Sequence, residues 1–247
     1  MARVLATMAV GVTLALSATS ALAQEEAPAA AASVSTDDGG GKIHLGVRLG
    51  YGIPLGKING ESSTTVGGIT VTSEGTKLND VYSGMIPIWL DLGYFVTPNI
   101  MVGLYGHYGI AMIKDGDANN LQGCPEGADC SGSVIRIGLQ GQYHLSRGES
   151  LDPWFGLGIG YEFASASLSS GGTEFSATYK GLEFLNLQAG ADFKVANNIG
   201  IGPFASFSLG QYSSRSTDPE IPGASDDIEE KAMHEWLVIG VHGAFGF

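Results

Sequence analysis

The residues of this chain with the type and spacing to do chemistry are few, and most stand singly among Gly, Ser and Gln. Arg48, Asp91, Arg136 and Glu162 are the charged examples, and on neighbouring strands their heights match in two pairs, Arg48 with Asp91 and Arg136 with Glu162. Two readings follow: structural ion pairs that plug an interior, or a gated ion path. The run Cys-Pro-Glu-Gly-Ala-Asp-Cys holds Cys124 and Cys130, the only two cysteines. A pair this close in a secreted chain predicts a disulfide, worth about 2 kcal/mol by loop closure. Zinc is the alternative, but no His is nearby in sequence to complete a ligand set. His144-Leu145-Ser146 offers a base and a hydroxyl for nucleophilic chemistry, which also requires hydrogen-bond reach and substrate access. Asp218, Glu220, Asp226, Asp227, Glu229 and Glu230 could present oxygens to a divalent cation, but they lack the spacing of a calcium loop and read as a solvated acidic face. No catalytic residue, metal ligand or cofactor is assigned from these patterns.

The elements that must position these residues have a period of two. From Ile43 to Ile53 every odd position is apolar, while the even ones are His44, Gly46, Arg48, Gly50 and Gly52. Seven more segments repeat the alternation, including Ile86 to Val96, Ile100 to Met112, Ile135 to Leu145 and Phe155 to Phe163. The sixth carries Leu185, Leu187, Ala189, Ala191 and Phe193, the seventh runs from Ile199 to Leu209, and the last from Leu237 to Phe247. Each suffices for the roughly 9–11 residues that a tilted strand needs to cross hydrocarbon. With 38 Gly, 15% charged residues and 44% hydrophobic residues, the composition suits a wall of which only alternate side chains meet lipid. In a soluble barrel the polar face would carry many Lys, Glu and Asp, and here it carries mostly Gly, Ser and Gln. The predicted fold is therefore all-β: an eight-stranded antiparallel up-and-down transmembrane β-barrel.

Connection lengths give its orientation. Links 54–85, 113–133, 164–178 and 210–234 are long, and those at 97–99, 146–153 and 194–198 are short. Long loops at one end and tight turns at the other are the outer-membrane arrangement, with both termini at the periplasmic, short-turn end. Outward Tyr94, Tyr143, Phe155, Phe193, Phe245 and Phe247 then fall at the periplasmic rim, and Tyr51, Tyr108, Tyr161, Phe163, Tyr179 and Phe207 towards the external rim. Such girdles have a cause, since amphipathic rings favour the headgroup boundary. Within the long links, residues 64–71 read either as a hairpin with a Gly-Gly turn or as a polar loop, and residues 169–173 as a cap extending strands five and six.

Upstream of the barrel, residues 1–23 read as a cleavable signal peptide. Arg3 supplies the positive region, Met8 to Leu16 the apolar run, and Ala21 and Ala23 the small residues that set cleavage before Gln24. Residues 24–41, Ala-rich and acidic, are expected to be a disordered periplasmic linker before the barrel at 42–247. Loss of Arg3 takes the formal charge from −13 to −14, which argues against nucleic acid as a partner.

These features, with a final strand Trp236 to Phe247 ending on an aromatic residue, resemble the small outer-membrane β-barrel family that includes OmpA-type transmembrane domains and OmpX. The resemblance covers about residues 42–247 and implies that Val241, Phe245 and Phe247 form the signal read by the barrel-insertion machinery. It implies outer-membrane lipids and lipopolysaccharide as surroundings and a monomeric state. The chain departs from full-length OmpA-type proteins in ending at the barrel, without a peptidoglycan-binding domain. The expected function is a structural or surface-interaction role in the cell outer membrane, not an enzyme, with long extracellular loops as the binding surface. The alternatives are a narrow pore and an outer-leaflet lipid-modifying enzyme. For the latter, the His144 pair invites comparison with lipid A deacylases, although it lies beside a periplasmic turn while those enzymes work at the outer leaflet.

Overall fold

A computed structural model describes residues 43–66, 69–116, 123–220 and 226–246. The signal and cleavage residues Ala21, Ala23 and Gln24, the linker, and Phe247 lie outside the described residues. The elements are β1 (Ile43–Gly56), β2 (Ser62–Val66), β3 (Ile69–Ser73), α1 (Leu78–Val81), β4 (Tyr82–Phe95), β5 (Ile100–Ile113), β6 (Asp129–His144), β7 (Leu151–Ser170), β8 (Thr173–Ala196), β9 (Ile199–Asp218) and β10 (Met233–Phe245). Eight of them close into a barrel in the order β1-β10-β9-β8-β7-β6-β5-β4, every pair antiparallel, while β2 and β3 form a separate hairpin. Closure is made by β1 against β10, with Leu49 opposite Val241 and Leu45 opposite Phe245. It leaves no open edge, which is what a sheet in hydrocarbon requires, because an unpaired backbone group there finds no water.

The alternation read from sequence is inside-out relative to a soluble protein. Leu90, Ile137, Leu139, Leu157 and Ile159 are each more than half exposed on the outer wall. The residues between them, Asp91, Arg136, Gln140 and Glu162, are buried in the lumen. A greasy exterior around a polar interior is stable when lipid surrounds it, so the chain is a transmembrane β-barrel. Among the described residues no helix is long and apolar enough to cross a membrane, and the crossing is made by strands.

The strands run further at the loop end than periodicity predicts. Link 164–178 is mostly strand: β7 and β8 continue to a two-residue turn at Gly171-Gly172, whose φ values of 58° and 82° are the left-handed conformations such a hairpin needs. β6 likewise begins at Asp129 and β9 runs to Asp218, so β6 to β9 stand as a partial wall beyond the apolar band. Polar Ser and Thr fill this extension, as the reading of residues 169–173 as a cap on extended strands expects for β7 and β8. At the turn end Tyr94, Tyr143, Phe155, Phe193 and Phe245 are exposed on the outer wall, and at the loop end so are Tyr51 and Tyr108. Tyr179 is a correction: it packs inward, 5.7 Å from Tyr212, because the register shift between Glu183 and Leu185 adds one residue to β8 and inverts the parity upstream.

Candidate functional site in the barrel lumen

The buried polar residues fall into two layers separated by aromatic rings. The lower one, nearer the turn end, is centred on Arg48 of β1. Its Nε donates to Asp91 Oδ2 at 2.7 Å, Nη1 to Gln188 Oε1 at 2.8 Å and Nη2 to Gln140 Oε1 at 3.3 Å. Gln140 Nε2 returns a bond to Asp91 Oδ1 at 2.7 Å, so cation, anion and amides form a closed cycle. Trp89, Trp154 and Phe204 hold the guanidinium carbon 5.0–5.5 Å from their ring centres. Opposed charge, amide acceptors and ring faces together replace the water that a buried guanidinium gives up. Gly46 makes the room: a Cβ there would sit 2.7 Å from Asp91 Oδ2 and 2.8 Å from His242 Nε2.

Beneath this cycle three imidazoles crowd the turn end. His44 lies 5.9 Å from His144 and 6.0 Å from His242, centre to centre. His144 Nδ1 is 2.7 Å from Asp152, and His242 Nδ1 is 3.0 Å from Asp192. Ser146 reaches the Asp152 carboxylate through its backbone N–H, at 3.2 Å. His144 thus belongs to a buried plug that faces away from lipid, which puts it out of reach of an acyl chain in the membrane. Among the described residues no group of three or more His, Cys, Asp or Glu side chains is arranged to hold a metal ion.

The upper layer is centred on Arg136 of β6. Nε donates to Glu162 Oε2 at 2.6 Å, and Nη1 lies 3.6 Å from Glu183 Oε1. Glu162 also accepts from the Tyr212 hydroxyl and lies 3.1 Å from His234 Nε2. Glu183 accepts from the Tyr105 hydroxyl and, at 2.9 Å, from Asn186 Nδ2. Above it, Leu78 of α1 packs with Ile58, Tyr82, Val134 and Ala164 into an apolar lid. Between the layers Trp89 touches Tyr105, His107 and Phe204.

The structure therefore brings Arg48 to Asp91 and Arg136 to Glu162, all four fully or almost fully buried. Cys124 and Cys130 form a disulfide that ties the second long loop to the start of β6, at the loop end of the barrel. Val241 and Phe245 lie on the outer wall of β10. The acidic positions Asp226, Glu229 and Glu230 are solvent-facing. Sequence reasoning missed Glu183, because extending the odd-numbered outward set of the sixth segment upstream puts it on the lipid side. The shift between Glu183 and Leu185 turns it inward. The clue was the adjacent apolar pair Phe184-Leu185, where strict alternation allows one.

No protein-family model and no curated protein sequence matches the chain. Solved structures resemble its fold. Neisserial surface protein A aligns over 85% of this chain and all of its own, at 13% identity and a TM-score of 0.42. A major outer membrane protein from Thermus thermophilus aligns over 82% and 99%, at 13% and 0.46. The outer membrane protease OmpT from Escherichia coli aligns over 83% and 97%, at 10% and 0.41. At these values none of them assigns a role to a residue of this chain.

Proposed function

We propose that this protein is a closed outer-membrane barrel whose work is done at the cell surface, its lumen serving as a scaffold and not as a pore. The observation that carries this reading is the pair of buried layers, in which Arg48 and Arg136 have no solvent exposure, Arg48 of β1 bonding to β4 and across the lumen to β6 and β8, and Arg136 of β6 bonding to β7. An eight-stranded barrel has an interior just wide enough for its own side chains, and here those side chains are long and cross-linked. The short-turn end and both termini then face the periplasm. The β7–β8 hairpin and the upper part of β9 project from the outer leaflet as the interaction surface. Residues 1–23 deliver the chain for export, Val241, Phe245 and Phe247 are presented to the insertion machinery, and the mature monomer sits among outer-membrane lipids and lipopolysaccharide.

The test is electrical and cellular. Purified protein in a planar bilayer at about pH 7.5, above the ordinary imidazole range, is expected to give no sustained conductance steps. Shortening the hairpin between Ser165 and Thr178 is expected to leave a folded, inserted barrel and abolish adhesion of expressing cells to host or abiotic surfaces. Stable open-channel current from the intact protein, or unchanged adhesion after the hairpin is shortened, contradicts the reading.

A further inference from the structure

Two buried imidazoles of the lumen make no hydrogen bond. Neither ring nitrogen of His44 nor of His107 has a hydrogen-bond partner, although both side chains are almost wholly buried. Native interiors rarely leave polar atoms in that condition. The other three histidines each hold a carboxylate: His144 has Asp152, His242 has Asp192 and His234 has Glu162. Each of the two exceptions also stands near a guanidinium. His107 is the cross-strand partner of Arg136, and His44 shares the inner face of β1 with Arg48, four residues further along the strand.

Charge counting shows what full protonation would do. Facing His44 are Arg48 of β1, Asp91 and Phe95 of β4, His144 of β6 and His242 of β10, with Asp152 and Asp192 behind the last two. With every imidazole charged, this layer would hold four cations, Arg48, His44, His144 and His242, against three carboxylates, Asp91, Asp152 and Asp192. Facing His107 are Trp89 of β4, Arg136 of β6 and Glu162 of β7. That layer would hold Arg136, His107 and His234 against Glu162 and Glu183. Both layers end one positive charge over, and the surplus falls on the imidazole that lacks a carboxylate. A surplus cation in a space that excludes water is relieved by admitting water and a counter-anion.

We propose that acid opens this barrel: protonation of His44 and His107 loosens the two layers and admits small inorganic anions such as chloride. The inference rests on the closed-lumen reading, since a barrel already open has nothing for protons to release. The layers are in series along one channel, so both must yield before current flows.

The experiment uses the purified full chain in planar bilayers under a potassium chloride gradient, at about pH 7.5 and in steps from there down to about pH 3, from above to well below the ordinary imidazole range. His44→Phe and His107→Phe are compared with wild type. Phe95 and Trp89 already lie edge-on to these imidazoles, so an uncharged ring has neighbours that accept it. Heat-modifiable migration on gels checks that each variant is folded. Wild type is expected to be silent at the higher pH and to conduct at the lower end of the range, with a reversal potential showing preference for chloride. Either single variant is expected to lose the acid-evoked current. Silence of the wild type in acid overturns this inference alone, and so does acid current that persists in either folded variant. A preference for potassium overturns it from wild-type recordings, even if neither variant folds. Current already present at the higher pH overturns the closed-lumen reading and this inference with it.

Discussion

The two buried layers do the same job by different means. Around Arg48 there is a single directly bonded carboxylate, Asp91, and the remaining bonds come from Gln140 and Gln188, clad in Trp89, Trp154 and Phe204. Around Arg136 there are two carboxylates, Glu162 and Glu183, each backed by a tyrosine hydroxyl. The lower arrangement spreads one charge pair over neutral amides. The upper one concentrates three charges and depends on a register shift to bring Glu183 inside. The upper layer should therefore be the more sensitive to loss of a single partner, because removal of its cation strands two anions instead of one.

The strongest way to break this comparison is to insert one alanine between Glu183 and Phe184. The added residue takes the inward place and Glu183 turns out into lipid, while the lower layer keeps its register. The expected loss exceeds the roughly 3–5 kcal/mol of a broken buried pair and is read as failure to insert into liposomes. Normal insertion into liposomes would mean that the inward setting of Glu183 does not hold the layer.

Next in size is a matched pair, Arg136→Met and Arg48→Met, compared by urea unfolding in lipid or detergent. The first is expected to cost about 3–5 kcal/mol, and the second to fall at or below the lower end of that range, because Gln140 still donates to Asp91. Equal or reversed losses would remove the distinction between the layers.

Replacing both Cys124 and Cys130 by Ser supplies a control at the loop end of the barrel. About 2 kcal/mol of loop-closure stabilisation is lost, and the difference between the two arginine variants stays the same. The smallest effect expected is for Gln140→Leu, at about 1–2 kcal/mol, since it leaves the Arg48–Asp91 contact in place and removes only its amide bridge. A loss as large as that of Arg48→Met would show that the amides, not the ion pair, hold the lower layer.

The same contrast explains what could be read from the amino-acid sequence. The lower layer was legible because β1, β4 and the lower parts of β6 and β7 keep strict alternation, so parity alone sends Arg48, Asp91, Gln140 and His144 to one face. Matching heights then put Arg48 against Asp91. Arg136 and Glu162 were legible for the same reason, being direct cross-strand partners. Glu183 and Tyr179 were not, because a β-bulge changes the face of everything beyond it and leaves only a doubled apolar residue as its trace. Of the extended wall, the β7–β8 part was legible from the Gly171-Gly172 turn, while its β6 and β9 parts were hidden, since strands beyond the membrane band have no lipid face to impose alternating hydrophobicity. The crowding of His44, His144 and His242, drawn from β1, β6 and β10, has no local signature and depends on barrel closure.

The central claim is a dry, sealed interior inside a lipid-facing wall, and the chain carries its own reporters of it. All three tryptophans, Trp89, Trp154 and Trp236, are fully buried in the lumen. With the folded protein in vesicles at neutral pH, iodide is predicted to leave tryptophan emission almost unquenched until the barrel is unfolded. Quenching of the folded protein approaching that of free tryptophan would mean that water fills the interior, and would contradict the account.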